Sequence, residues 1–301
     1  MTGFDYGTVQ VGTEASLGNI DLETLPVTYQ AAEHLFSVAG QTPGQVSLAR
    51  SNEWEWVVTH VNEVELKKPF PFCTSGVHRV YTIFGEPKAP WSNTYGSPQN
   101  AWVSALDVVC SNSWALGATT IEDAAGSITC AIYNSNRFEY DLVNGDCFYT
   151  QGSFYLTLWI RRINGYYGGG SLVNCWDCAN GVVSLSNLLG CDLWNQWIGE
   201  SFECNAISAI KDQPWGQPFG WGFRYHRMGW RGSENDTGKV FDACLKVTGG
   251  VIPVNMLFGL DTTPNGYKFL LVAPESYGTC SPNANPTSPD QIPRQRRDPI
   301  Q

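Results

Sequence analysis

The sequence predicts an α+β protein in which a β-rich region precedes a mixed region of helices and strands. Residues 1–98 contain alternating apolar and polar runs typical of strands and turns. Apolar residues at helical spacing follow over 101–136, and a third helical stripe follows over 175–190. Strand-like segments come next, at 221–230 and 238–247. Strands followed by helices and then by further strands are the order expected of an α+β fold.

Composition indicates a folded protein and argues against several function classes. The chain has 301 residues, of which 43% are hydrophobic and only 15% charged, so it is long enough for one large or two modest domains and too apolar for disorder. The net charge of −10 is the opposite of a nucleic-acid-binding surface. No apolar run is long enough for a transmembrane helix, so no membrane span is expected.

Cysteine usage and the first residues bear on the compartment. The first 25 residues carry acidic side chains and no apolar run of signal-peptide length. Cys110 and Cys130 lie inside apolar segments, where buried free thiols are the default. We therefore expect a reducing compartment, either the cytoplasm or a destination reached without a visible Sec signal.

Three regions are predicted along the chain. An N-terminal β-rich domain covers 1–98 and ends at a polar Gly/Pro stretch. A core of helices and strands covers 99–275. The Pro-rich tail, 276–301, has no apolar period and is expected to be disordered. Its basic cluster is interpretable as a solvated tail or as a recognition or processing site: Arg294, Arg296 and Arg297.

Two helices and a strand are predicted before the central segment. The first helix has apolar residues from Trp102 to Cys110, and the second begins at the capping pattern Thr119-x-x-Glu122. Aromatic and β-branched residues over 148–162 predict a strand region. Core packing accounts for these elements without assigning them any chemistry.

The segment that follows places a cysteine at the start of a buried helix. Glycines precede Cys175, an apolar stripe follows it, and Gly190 provides a C-terminal cap. Unpaired N–H groups and the helix dipole stabilise a thiolate at such a position, and the same N–H groups can hold an oxyanion. Asp177 is expected to be structural, as an acceptor for helix N-terminal N–H groups. Cys175 is therefore the candidate nucleophile.

A thiolate nucleophile needs a base and a group that orients the base. Of the four histidines, only His226 lies downstream of Cys175, in a predicted strand. Asp242 is flanked by apolar residues in the next predicted strand and needs a partner there. If the two strands are neighbours, Asp242 can orient the His226 ring.

These residues resemble the core motif of the transglutaminase-like superfamily. Cys175, Asp177, Ala179 and Gly190 match the motif positions, and His226 and Asp242 follow in the family's order. The resemblance covers roughly residues 100–275 and implies a papain-like core, in which helices pack on an antiparallel sheet. It also implies acyl transfer on an amide of a protein or peptide substrate, through a thioester on Cys175. It implies no cofactor and no metal, because the family's calcium-binding pattern is not recognisable.

The sequence departs from the family pattern and leaves alternatives open. Arg227 and Met228 stand where an aromatic residue often follows the histidine, which favours hydrolysis over lysine cross-linking. Transamidation and a catalytically silent scaffold remain alternatives. Trp159 is the suggested upstream oxyanion donor. The Cys175-x-x-Cys178 pair also permits a zinc site or a thioredoxin-like redox motif, the former with two later ligands: Cys191 and Cys204.

Overall fold

The computed structural model confirms the α+β class. It describes residues 7–12, 19–21, 38–39, 44–52, 55–61, 64–74, 78–91, 102–166, 169–231, 239–247, 267, 270–276 and 297–301. These residues form four α-helices and several small sheets. No helix among them is both long and apolar enough to cross a membrane. The chain divides into two compact units, Met1–Thr82 and Ile83–Gln301.

The described part of the first unit consists of antiparallel strands. Its strands are β1 (Gly7–Gly12), β2 (Asn19–Asp21), β3 (Val38–Ala39), β4 (Ser47–Asn52), β5 (Glu55–Val61), β6 (Val64–Thr74) and β7 (His78–Thr82). Five of them form a sheet in the order β3-β2-β1-β5-β6, and β4 pairs with β7. Register shifts in the β1–β5 and β5–β6 pairs mark bulges in the larger sheet.

The described part of the second unit combines the helices with three small sheets. Its helices are α1 (Val103–Val109), α2 (Ile121–Asn134), α3 (Leu156–Ile163) and α4 (Cys175–Leu188). Its strands are β8 (Glu139–Tyr140), β9 (Leu172–Val173), β10 (Trp194–Phe202), β11 (Ile207–Ala209), β12 (Gln213–Trp215), β13 (Phe223–Arg231), β14 (Lys239–Phe241) and β15 (Leu245–Val247). The sheets run β10-β13-β14, β12-β11-β15 and β8-β9, of which only the last pairs its strands in parallel.

Helix α4 is the centre of the second unit. Nearly every residue of it is buried, and it packs against α2 and β13. Gly229 of β13 lets the helix approach closely, since a Cβ there would lie 3.0 Å from Val182. The buried Asn187 side chain donates to the carbonyls of Ala89 and Leu193 and accepts from the Leu193 N–H, so its polar atoms are satisfied. This packing fixes the start of α4 relative to β13.

Two local predictions differ from the structure. Residues 156–163 form helix α3 where a strand was predicted, because Leu156, Trp159 and Ile160 repeat at helical spacing and are all buried. Thr120, rather than Thr119, caps α2, and its side chain accepts the Asp123 N–H.

The division between the units falls earlier than the predicted boundary at residue 98. Residues 83–91 belong to the second unit because they bond to the end of α4. The Phe84 N–H donates to the Leu189 carbonyl at 3.1 Å, and the Trp91 indole donates to the Ser184 carbonyl at 2.6 Å. The predicted Gly/Pro linker at 94–100 lies outside the described residues.

The end of the predicted tail is ordered against the second unit. Residues 297–301 are described, with Arg297, Asp298 and Ile300 buried, whereas the expectation was disorder over the whole of 276–301. Residues 277–296 lie outside the described residues. The physical reason for the difference is that the two charged side chains find partners far away in the sequence.

Gly190→Ala should destabilise the second unit. Gly190 has φ of 90°, and an added Cβ would lie 3.1 Å from the Gly85 backbone, so the change combines left-handed strain with a clash. We expect a loss of about 1–3 kcal/mol in the free energy of unfolding, measured by urea titration. Gly85→Ala is the matched control, because nothing lies within 4 Å of a Cβ there. Equal effects of the two substitutions would contradict this account.

Candidate active site

Cys175 is the first residue of α4 and is buried. Asn174 caps the helix, and its side-chain oxygen accepts the N–H groups of Trp176 and Asp177 at 2.9 and 3.1 Å. The cap therefore engages those two first-turn N–H groups and not that of Cys175 itself. The sequence prediction of a cysteine at a helix N-terminus is confirmed.

Asp177 has the structural role that the sequence predicted. It completes the capping box by accepting the Asn174 N–H, and it also accepts the N–H groups of Phe148 and Tyr149 at 2.9 and 3.0 Å. Burial raises the pKa of Asp177, and these hydrogen bonds oppose the rise. The carboxylate thus ties the preceding loop to the helix start that carries Cys175.

His226 and Asp242 form a fully buried pair. His226 lies on β13, and its Nε2 is 2.7 Å from Oδ2 of Asp242. The sequence predicts that Asp242 lies within a strand. In the structure it lies directly after β14 instead. Its Oδ1 accepts the N–H groups of Cys244 and Leu245 at 2.9 and 3.2 Å, which turns the chain between β14 and β15.

The charge on this pair is set by competition between burial and pairing. Burial alone would lower the pKa of His226, but the charge and hydrogen bond of Asp242, together with the Cys175 side chain, raise the pKa to about 10. Burial acts to raise the pKa of Asp242, yet His226 and the hydrogen bonds from Tyr267 and Cys244 lower it. The pair is therefore an imidazolium and a carboxylate near neutral pH.

The structure brings Cys175, His226 and Asp242 together. Nε2 of His226 is hydrogen-bonded to Asp242, whereas Nδ1 is buried with no hydrogen-bond partner among the described residues. The Cys175 side chain interacts with the same imidazole. The unengaged Nδ1 is thus the ring atom available to the thiol. The three residues come from the start of α4, from β13 and from the turn after β14, and these elements meet at the site.

Tyr267 and Cys244 are site residues that sequence reasoning missed. The buried Tyr267 hydroxyl donates to Oδ2 of Asp242 and lies 3.5 Å from Nε2 of His226. Its ring stacks on the imidazole with centroids 6.3 Å apart. The Cys244 thiol lies 3.3 Å from Oδ1 of Asp242. In the sequence, Cys244 stands out only by its closeness to Asp242, and Tyr267, between Gly266 and Lys268, has no local pattern that marks it as part of a site.

Tyr140 approaches Cys175 from β8. Its ring is buried, and its side chain interacts with that of Cys175. Burial and the nearby sulfur of Cys175 raise the pKa of Tyr140 well above its ordinary value. The hydroxyl therefore keeps its proton and can donate a hydrogen bond at the site. Trp159, suggested as a donor from the sequence, instead stacks on Phe138 with ring centroids 4.0 Å apart and packs against Gly181, further along α4.

The predicted zinc alternative is not assembled in the described part of the chain. Cys191 points to the Ile121 carbonyl at 3.9 Å, and Cys204 belongs to a bridge with Val272. One group of three possible metal ligands lies within the described residues: His226, Asp242 and Cys244, with donor atoms within 4.8 Å of one another. In this structure, hydrogen bonds between those side chains account for their proximity.

No protein-family model matches the sequence, and no curated protein matches it closely enough to count as a relative.

Iodoacetamide at mildly acidic pH should alkylate Cys175 before the other described cysteines. Burial raises the pKa of Cys178, Cys130 and Cys147, which keeps those three thiols neutral. Cys175 lies at the first turn of α4 and its side chain faces the His226 imidazole, which is the partner that a nucleophilic thiol needs. Peptide mapping by mass spectrometry measures the order of labelling, and His226→Gln should slow the labelling of Cys175 alone. Faster labelling of Cys178 would overturn the assignment of the nucleophile.

The His226–Asp242 pair should make stability depend on alkaline pH. Since the pKa of His226 is raised by folding, its contribution is complete below the unfolded value, about 6.5. The contribution is lost as the pH rises through about 10. The difference in unfolding free energy between the parent protein and His226→Gln should therefore shrink between about pH 6 and about pH 10. Urea titrations at several pH values test this, and a constant difference would contradict an ionised pair.

Proposed function

We propose that this protein is a cysteine-dependent enzyme that transfers an acyl group from an amide, with a papain-like core of the transglutaminase type. The proposal rests above all on one observation: a thiol at the N-terminus of a buried helix faces a buried imidazolium–carboxylate pair. A thiol at a helix start, beside a histidine that a carboxylate holds in place, is the arrangement that a cysteine nucleophile needs.

In the proposed reaction, the Cys175 sulfur attacks the substrate carbonyl carbon. The carbonyl oxygen becomes an oxyanion, which the Cys175 N–H can stabilise because the capping side chain engages the next two N–H groups instead. The Tyr140 hydroxyl supplies a second donor, since its raised pKa keeps it protonated. In this scheme Tyr140 takes the role of upstream donor for which the sequence suggested Trp159.

His226 then acts as the general acid. It transfers the proton on its Nδ1 to the leaving amine, so the C–N bond breaks and a thioester remains on Cys175. Asp242 holds Nε2 at 2.7 Å and stabilises the charged ring, while Tyr267 holds Asp242. Water, deprotonated by the now neutral His226, attacks the thioester and releases the acid. The C–S bond breaks, the Cys175 sulfur leaves, and the proton taken from water stays on Nδ1 of His226, which restores the starting state.

Hydrolysis is the favoured fate of the thioester, and transamidation is the second candidate. A cross-linking enzyme needs aromatic walls that exclude water and admit a lysine. Met228 is buried, and Arg227 lies over the Trp176 ring at 4.2 Å, so the positions after His226 supply no such wall. The protein or peptide nature of the substrate comes from the family resemblance alone. A silent scaffold is the third possibility.

Cys175→Ala should abolish acyl transfer while Cys130→Ser leaves it intact. The first change removes the nucleophile, and we expect a loss of at least about a thousandfold in kcat/KM. The second alters a half-buried thiol on α2 and serves as the matched control. The assay follows ammonia or amine release from a panel of glutamine- and amide-containing peptides. Activity that survives in Cys175→Ala would refute the proposed mechanism.

Adding a primary amine to the same assay separates the outcomes. Hydrolysis predicts that free acid remains the main product at millimolar amine, measured by mass spectrometry of the peptide. If amine incorporation outpaces acid release, the enzyme is a transamidase. If no product forms with any peptide of the panel, the scaffold becomes the better interpretation.

A further inference from the structure

Residues 297–301 lie against the rest of the second unit in the manner of a bound peptide. The Phe154 N–H donates to the Pro299 carbonyl at 2.7 Å, and the Gln301 N–H donates to the Phe154 carbonyl at 3.0 Å. The Thr157 N–H donates to the Gln301 carbonyl at 3.1 Å. Ile300 pairs with Phe154 in a parallel bridge and is buried. Main-chain pairing of this kind is how proteins bind extended peptides.

Two charged side chains of this segment occupy specific pockets. Arg297 is buried: its Nε donates to the Leu193 carbonyl at 2.8 Å, a terminal nitrogen reaches Asp192 at 2.5 Å, and its guanidinium lies 3.7 Å from the centre of the Trp194 ring. Asp298 is 3% exposed, and its Oδ2 accepts from Trp176 at 2.6 Å and from Asn180 at 2.8 Å. A basic residue followed by an acidic one is what the two pockets require.

The Asp298 pocket connects to both sides of the candidate active site. Asn180 accepts from Asn195 at 2.8 Å, and Asn195 accepts from Arg227 at 3.2 Å. Arg227 in turn lies over the ring of Trp176, which closes the network. Trp176 follows Cys175 in the chain and Arg227 follows His226. The network therefore joins the segment to α4, β10 and β13 at the residues next to the nucleophile and the imidazole.

We infer that the second unit carries a binding site for Arg-Asp peptide segments, filled in this structure by residues 297–301 of the same chain. Occupancy of the site holds Trp176 and Arg227 in place, so Arg297 and Asp298 are positioning residues for the site next to them. The binding site stands on its own contacts, whereas the positioning role rests on the proposed cysteine chemistry. The sequence left two interpretations of the basic cluster at 294–297, a solvated tail or a recognition or processing site. Arg297 belongs to this binding contact.

The test supplies the segment in trans to the full chain. Arg297→Ala/Asp298→Ala weakens the docking in cis, and a fluorescent peptide of residues 294–301 is then titrated against it by anisotropy. The double variant should bind the peptide saturably, and the parent protein at least about tenfold more weakly, because its own segment competes. A peptide carrying Asp298→Asn should also lose about tenfold in affinity, since it keeps the shape but not the charge.

Activity reports the positioning role separately. The double variant should lose kcat with little change in KM, and the added peptide should restore kcat. Asp298→Asn in the full chain is a milder variant that keeps the shape of the side chain, and Glu275→Ala, at an exposed acidic residue, is the control. Circular dichroism checks that each variant is folded.

Each outcome has one meaning. Absence of saturable peptide binding by a folded double variant would overturn the binding site. Higher activity in the variant, with inhibition by the peptide, would overturn the positioning role and make the segment an inhibitor. If the parent protein itself has no activity, the proposed function fails, while anisotropy still decides whether the binding site exists.

Discussion

The buried pair of His226 and Asp242 is the interaction on which the rest of the site depends. Two charges removed from water are costly unless each is fully paired and hydrogen-bonded. Here Asp242 accepts from His226, Tyr267 and two N–H groups of the turn that follows β14. One carboxylate therefore accepts hydrogen bonds from three parts of the chain: β13, the turn after β14 and the segment of Tyr267. These bonds hold the three parts in a single arrangement and fix the direction that the imidazole faces.

Helix α4 supplies the other half of the site, and its packing explains the position of the thiol. Burial on all sides prevents the helix from sliding or rotating, and the Asn174–Asp177 capping box fixes its first turn. Asp177 then binds the loop at 147–149, so the surroundings of Cys175 are rigid as well. Rigidity on both sides keeps the sulfur and the imidazole together, so the proposed chemical step would need little reorganisation.

The sequence predicted those parts of the fold whose cause is local. The apolar stripe after Cys175 and the glycine that ends it define α4, and the order of Cys175, His226 and Asp242 along the sequence predicts the cluster. The aromatic content around residues 156–163 favours a strand, but these residues form a helix because one helical face is buried. The sequence does not indicate that Asp242 follows its strand, because the turn there is formed by hydrogen bonds from the Cys244 and Leu245 N–H groups to its side chain. The partners of Asp298 lie 118 and 122 positions away, beyond the reach of any local pattern.

The central claim is that Cys175 carries the acyl group. Rapid mixing of the protein with an activated amide, followed by acid quench and intact-mass spectrometry, measures this directly. The account predicts one acyl adduct per chain that maps to Cys175, decays as free acid appears, and fails to form in His226→Gln. An adduct on another residue, or turnover without any adduct, would contradict it.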